Sequence, residues 1–347
     1  MASVSRSSIN PRAPASAAAL PAFAAFPAAI APGFAPPALA RLLGRAEAAL
    51  VAWRSPAVVV EMLVTGLHSL RSTLNRDRWL ACCAAMQAHP LMALLRQDPL
   101  IARSLDKPRG YAGDAVAIDM MVRHADRRGD LAGASPLGRG LHLASTGTEI
   151  AAAVRRRQAA LAKAIDAAAD RTHAAGRSAD VLALAAGHLR EVEAARAHAG
   201  ARLGRIAALE PDEKTASVVA KRLARRVEVV AQPVSALARG LFDDRGFDLA
   251  YATGLYDMLD LRLATRLTRA VAERLRPGGR LLFTSMASDL WDAGFLEAAM
   301  AWHPILRDEA ELQALLATAT RGLEGIATRT WADDAGSLIW CEVARSA

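Results

Sequence analysis

Gly187 and Glu210 are the pair whose types and spacing most directly imply chemistry. Gly187 lies in the turn after one apolar run, Val181–Ala185, and Glu210 closes the next, Arg205–Leu209. A glycine turn lets backbone approach a ligand, and an acid at the end of the following strand accepts the two hydroxyls of a ribose. The pattern is that of a nucleoside site, although Ala185-Ala186-Gly187 holds a single glycine. Pro211 follows the acid. Gln232 and Val234 follow a third apolar run, where an amide can reach an adenine edge and a valine can pack on the ring. Thr253, Tyr256 and Asp257 lie on the Gly-containing loop after a fourth run, Phe247–Tyr251. Rim loops of this kind carry catalytic groups, so Tyr256 or Asp257 is expected at the mouth of the site, orienting an acceptor or the ligand amine. The alternatives are an ordinary strand–helix turn, a polar loop and a structural loop; Tyr251 reads as core.

The elements that must position these residues alternate. Strands are predicted at Val181–Ala185, Arg205–Leu209, Val227–Ala231, Phe247–Tyr251 and Arg280–Thr284. Helices are predicted at Leu189–His198, Asp212–Ala224, Leu261–Leu275 and Asp308–Ala319. Such alternation implies a mostly parallel sheet covered on both faces. Arg276-Pro277-Gly278-Gly279 reads as a helix stop before a buried strand. Gly325–Trp331 and Ser337–Val343, joined by a short turn, read as a terminal hairpin. Before Ser178 the pattern is helical. Leu42, Ala46, Leu50 and Trp53 share a face, and helices are expected at Val58–Leu74, Arg78–Ala88, Pro90–Gln97, Ala115–His124 and Thr148–Ala169, the last basic-faced. Gly129–Gly140 reads as a loop. The expected divisions are a disordered Ala/Pro-rich tail over 1–38, a helical domain over 39–175 and an α/β domain over 176–347.

Composition narrows the class. The net charge is +8, but only four of the 43 basic residues are lysine and the arginines are spread along the chain. That favours compositional bias over a nucleic-acid surface, so no nucleic-acid partner is expected. Cys82, Cys83 and Cys341 have no metal-ligand spacing, so no metal is expected, and they suit a reducing cytoplasm. No apolar run has the length of a membrane span. His188 either touches ligand or is exposed; His142 and His303 read as ordinary surface or core residues.

In this order the pieces over Ser178–Val343 resemble the class I S-adenosylmethionine-dependent methyltransferases. Those enzymes carry a Gly-rich loop after the first strand, an acid ending the second, a Pro-Gly-Gly turn before the fifth and a terminal hairpin. The helical part adds a sharper resemblance. Pro108-Arg109-Gly110-Tyr111-Ala112-Gly113-Asp114 is similar to the Pro-Arg-Gly-Tyr-Ala-Gly-Asp segment of a bacterial subgroup. That subgroup includes enzymes associated with making 3-hydroxypalmitic acid methyl ester. Arg190-Glu191 and Gly254-Leu255-Tyr256-Asp257 also resemble subgroup segments. Ala153-Val154-Arg155-Arg156-Arg157 stands where the subgroup has Ala-Val-Arg-Asn-Arg, and Ala185-Ala186-Gly187 where Gly-Cys-Gly or Ala-Cys-Gly is common.

The resemblance implies an α/β, Rossmann-like sheet with a C-terminal antiparallel hairpin, preceded by an N-terminal helical lid domain. It implies S-adenosylmethionine as cofactor and a small-molecule acceptor, fatty-acid-like or a secondary metabolite. In the lid turn, Tyr111 would lie over the sulfonium, Arg109 would fork onto the methionyl carboxylate, and Asp114 would bind the amine or fix Arg109. The alternative for Asp114 is a helix cap. Ala185, Gly187, Glu210, Pro211, Gln232, Val234 and Thr253 would complete the cofactor site, with Tyr111, Tyr256 and Asp257 as catalytic candidates. In-line methyl transfer is the first expectation. A rival is intramolecular cyclisation of the cofactor to azetidine-2-carboxylate and methylthioadenosine; another is an inactive binding module.

Overall fold

Prolines and short polar caps set out the helices before the first strand. The computed structural model describes residues 36–223 and 226–347. The helices are α1 Pro37–Val51, α2 Pro56–Thr73, α3 Arg76–Gln87, α4 Leu91–Leu95, α5 Pro99–Asp106, α6 Ala115–Met121, α7 Arg128–Ala132, α8 Pro136–Ser145 and α9 Glu149–Ala174. Pro37, Pro56, Pro99 and Pro136 occupy first turns, where a missing N–H leaves no bond unmade. Asn75, Asp98, Asp114 and Ser135 accept N–H groups of the next turn as caps. The expected tail falls outside the described residues up to Ala35, and α1 begins within its last two.

Two expectations here are corrected. Gly129–Gly140 is not a loop but holds most of α7 and the start of α8. Two of its glycines serve packing: a Cβ on Gly138 would overlap the Gln97 carbonyl, and one on Gly140 would press on the Pro56 ring. Trp53 is not on the buried face of α1; it follows the helix at φ +56 and is 84% exposed.

The strands are β1 Ala179–Leu184, β2 Leu203–Leu209, β3 Val227–Val230, β4 Phe247–Ala252, β5 Leu275–Met286, β6 Ile326–Ala332 and β7 Leu338–Arg345. They form one seven-stranded sheet in the order β3-β2-β1-β4-β5-β7-β6. The first five are parallel, and β7 runs antiparallel to both β5 and β6. This is the α/β Rossmann-like sheet with a C-terminal antiparallel hairpin that the sequence implies. The later helices are α10 Arg190–Ala194, α11 Arg196–Ala199, α12 Glu213–Leu223, α13 Leu261–Ala272, α14 Ala293–Ala299 and α15 Glu309–Thr320. The single helix expected over Leu189–His198 is broken by an extended Ala195. The helix expected over Leu261–Leu275 stops at Ala272, because β5 starts at Leu275 and carries Pro277-Gly278-Gly279 as an irregularity against β4.

Three apolar clusters hold these layers. One packs α13 and α15 on one face of the sheet. Another packs the C-terminal part of α9, with α10 and α12 residues, on the other. The third joins the N-terminal helices to Met286, Phe295, Leu296 and Leu338. Helix α14, which the sequence reading missed, is thus shared between the helical region and the sheet. Among the described residues no helix is long and apolar enough to cross a membrane.

Candidate functional site

The strand order reverses beside β1, which has β2 on one side and β4 on the other. Ligands of such sheets sit beyond the carboxyl ends at this point. The turn leaving β1 places Ala185, Gly187 and Leu189 at φ +45, +55 and +53. Two of these are L residues in the left-handed region, each at a cost of about 1–2 kcal/mol. The bend aims the Gly187 N–H at Glu210 Oε2, 2.8 Å away, while Asp212 N–H donates to Oε1 at 2.9 Å. Glu210 is only 4% exposed. Burial raises its carboxyl to about 7, against the pull of the two N–H bonds, and the Asp212 charge adds to the rise. A carboxylate oxygen accepts more than one hydrogen bond, so both oxygens keep capacity for a ribose hydroxyl.

The Lys107–Asp114 turn lies against this rim. Lys107 ends α5 at φ +45 and Gly110 follows at φ +88. Arg109 Nη1 donates to Asp212 Oδ1 at 3.1 Å and also meets the Thr215 hydroxyl. The half-buried Tyr111 has its hydroxyl pKa pushed up by burial and by Glu210, Asp212 and Asp114, which places it among these acids. A Cβ on Gly113 would overlap the Trp302 ring, and the Ala115 Cβ is 3.9 Å from where one would stand on Gly187. Asp114 is fully buried; it caps α6 through Ala117 N–H and accepts Arg103 Nε at 2.8 Å. Of the alternatives for Asp114 the helix cap is the one made, and it does not fix Arg109, which reaches Asp212 instead.

The remaining expected residues divide. Pro211 is half-buried beside Glu210, and Gln232 is exposed just past the end of β3. Val234 packs partly against the α13 core. Thr253 is half-buried at the end of β4. Tyr256 is not at a mouth: it is fully buried, stacked on Phe283 with centroids 3.6 Å apart, and its hydroxyl is 2.9 Å from Thr268 Oγ1. Asp257 is also buried rather than at the mouth. Its Oδ1 accepts Met286 N–H at 2.7 Å, and burial raises the carboxyl to about 6.

Several residues in this neighbourhood have partners that the sequence reading did not assign. The Arg155-Arg156-Arg157 run makes no common basic face. Arg155 donates to the Met121 and Thr146 carbonyls, Arg156 pairs with Glu149 and Asp333, and Arg157 turns inward to Thr284. Successive helical side chains point about 100° apart, a signal available in the sequence. Tyr251, buried as expected, donates to Glu191 Oε1 at 2.7 Å. His188 is buried with Nδ1 2.8 Å from Asp119, which also takes Arg190. Burial works against ionising Asp119, yet these bonds hold its pKa at about 2. This network ties the β1 turn to α6. A cavity lined by Arg177, Ser178, Asp180, Arg276 and Pro277 opens at the opposite, amino ends of β1 and β5, and its arginines already pair with Asp248.

No protein-family model matches the chain, and no curated protein matches it in sequence. Solved structures do. One described as a possible exported protein from Bordetella parapertussis is 18% identical, with a TM-score of 0.57 over 90% of this chain and 100% of that one. The N-methyltransferase NodS from Bradyrhizobium japonicum is 14% identical, with a TM-score of 0.38 over 56% of this chain and 96% of its own. Magnesium protoporphyrin IX methyltransferase from Synechocystis is 12% identical, with a TM-score of 0.40 over 66% and 96%. At that identity the Bordetella match is a likeness of fold, and it covers the helical region and the sheet together.

Proposed function

We propose that this chain is an S-adenosylmethionine-dependent methyltransferase acting on a small molecule. The observation that carries the reading is Glu210, buried at the end of β2, gripping the β1 turn through Gly187 N–H, with Tyr111 of the lid turn beside it. The residues suit a nucleoside: acceptor oxygens for the ribose, close backbone at Gly187, and Gln232 at the β3 end for an adenine edge. Bound there, the cofactor supplies a methyl group on a sulfonium, already activated for attack. The protein's part is then to position the acceptor and exclude water. Tyr111 offers an aromatic face to the cation. Arg109 and Asp114 shape the lid turn from its own side. The free, buried thiols of Cys82, Cys83 and Cys341 support a reducing compartment, the cytoplasm.

Incubation of the pure chain with S-adenosylmethionine, read by mass spectrometry, tests this. Binding of intact cofactor is the expected result. Methylthioadenosine with a cyclic imino acid would instead mean the intramolecular cyclase, and absence of binding would leave a non-catalytic module. Glu210→Ala and Tyr111→Ala are each expected to weaken cofactor binding by about 1–3 kcal/mol, or roughly ten- to hundredfold.

A further inference from the structure

Trp53 stands where a helix terminator calls for glycine. Two backbone bonds close α1: Arg54 N–H donates to the Ala49 carbonyl at 2.9 Å and Trp53 N–H to the Leu50 carbonyl at 3.1 Å. This closing motif needs a left-handed residue just past the helix, and glycine fills that place most often because it has no Cβ. Trp53 takes it at φ +56, at a cost of about 1–2 kcal/mol. Strain of this kind persists where packing or function requires the residue. Packing does not require Trp53, which is 84% exposed. The strain holds an indole out from the corner between α1 and α2.

The corner around it is apolar and basic. Residues 51–55 are exposed throughout, and Val51 and Val58 flank the indole as further exposed apolar side chains. The Pro56 ring meets α8 at Gly140, and one turn along α8 Leu143 is exposed as well. Arg45, Arg54 and Arg139 are exposed on the same elements, and among the described residues none of the three is in an ion pair. The one acid between Pro36 and Val58, Glu47, is half-buried with its carboxylate 3.9 Å from His89 Nδ1. Residues 36–175 hold nineteen lysines and arginines against twelve aspartates and glutamates. The positive excess of the chain therefore lies mainly in the helical region that carries this corner.

Indole rings settle at the boundary between hydrocarbon and water, where the ring is covered and its N–H stays wet. Aliphatic side chains beside the ring add apolar area, and unpaired arginines attract anionic head groups. A protein interface seats its aromatic anchor in the middle of a broad patch; Trp53 instead projects from a corner among scattered apolar side chains. We propose that the α1–α2 corner docks the protein on an anionic lipid surface, with the Trp53 indole among the head groups and Arg45, Arg54 and Arg139 facing their phosphates. One ring and a few aliphatic side chains bury too little apolar area for stable anchoring, so the docking is peripheral and reversible. It is independent of the nucleoside site.

Sedimentation with two kinds of vesicle tests this, one of phosphatidylcholine alone and one of equal parts phosphatidylcholine and phosphatidylglycerol. Wild type is expected to sediment with the anionic vesicles and not with the neutral ones, and to be released as salt is raised. Trp53→Gly separates docking from folding, because glycine suits φ +56. It is expected to hold or raise the melting temperature while weakening vesicle binding about tenfold or more. Arg54→Gln and Arg139→Gln each weaken it about fivefold. The emission of Trp53, taken as the difference between wild type and Trp53→Gly, shifts to the blue on anionic vesicles. Binding to neither vesicle, equal binding to both, or unchanged binding by Trp53→Gly overturns the proposal. So does self-association of wild type without lipid that Trp53→Gly abolishes, which would assign the corner to a second copy of this chain. Should Trp53→Gly fail to fold, the Arg54→Gln/Arg139→Gln double variant is read by the same binding criteria.

Discussion

Glu210 sits on the boundary between two charge states near neutrality. Its folded pKa of about 7 stands above the ordinary 4.5, so the folded chain holds a proton that the unfolded chain releases. Stability from this group is full below about pH 4.5 and falls as pH rises through about 7, by up to about 3 kcal/mol. Nucleoside affinity should run the other way, since ribose hydroxyls donate best to an ionised carboxylate. We expect S-adenosylhomocysteine affinity to climb between about pH 6 and about pH 8, and Glu210→Gln to flatten the climb; a falling calorimetric profile for wild type would contradict this. The places of Gly187 in the β1 turn and Glu210 at the end of β2 were legible in the sequence, because each follows directly on its own apolar run. Tyr256 was not. It stands in a short 3-10 turn, Tyr256–Met258, and only the presence of Thr268 and Phe283 beneath decides that its ring points inward. Arg157 was hidden by its neighbours, since a run of three arginines suggests surface until the helix is wound.

The β1 turn bends as a glycine-rich loop would, with alanine and leucine at two of its left-handed positions. Ala185→Gly should relieve about 1–2 kcal/mol of backbone strain against about 0.5–1 kcal/mol of added chain entropy. Thermal melting is expected to show no loss, or a gain of up to about 1 kcal/mol; a clear destabilisation would mean that the Ala185 side chain itself is needed. At this scale the sheet read well. Strands β1 to β5 and β7 carry their own apolar runs, and the hairpin carries its own turn, so both are local signals. Helices α7 and α8 were lost among glycines that look like breakers. Gly138 is there because the Gln97 carbonyl presses on the helix, a tertiary reason that periodicity does not contain. Helix α14 was missed because it is short and buried on every side.

Across the whole molecule the helical region and the sheet share side chains rather than abutting. Glu297, on α14, is 1% exposed and takes Arg71 and Arg76 together with the Trp79 indole. Phe295 and Leu296 of the same helix lie in the core of the N-terminal helices. The described part of the chain should therefore unfold in one cooperative step. Glu297→Ala, which strips a buried carboxylate from its partners, should lower that single calorimetric transition by about 3–5 kcal/mol; two separable transitions would show the halves to be independent. The same sharing governs time as well as energy. Arg109 crosses from the helical region to Asp212, and Tyr111 lies with Glu210 beneath it. On the reading proposed above, a nucleoside would settle on Glu210 only in molecules whose turn had swung clear, its apparent affinity scaled by that fraction. With the Arg109 pair re-formed, departure would wait for the same opening, and slow arrival would become long residence.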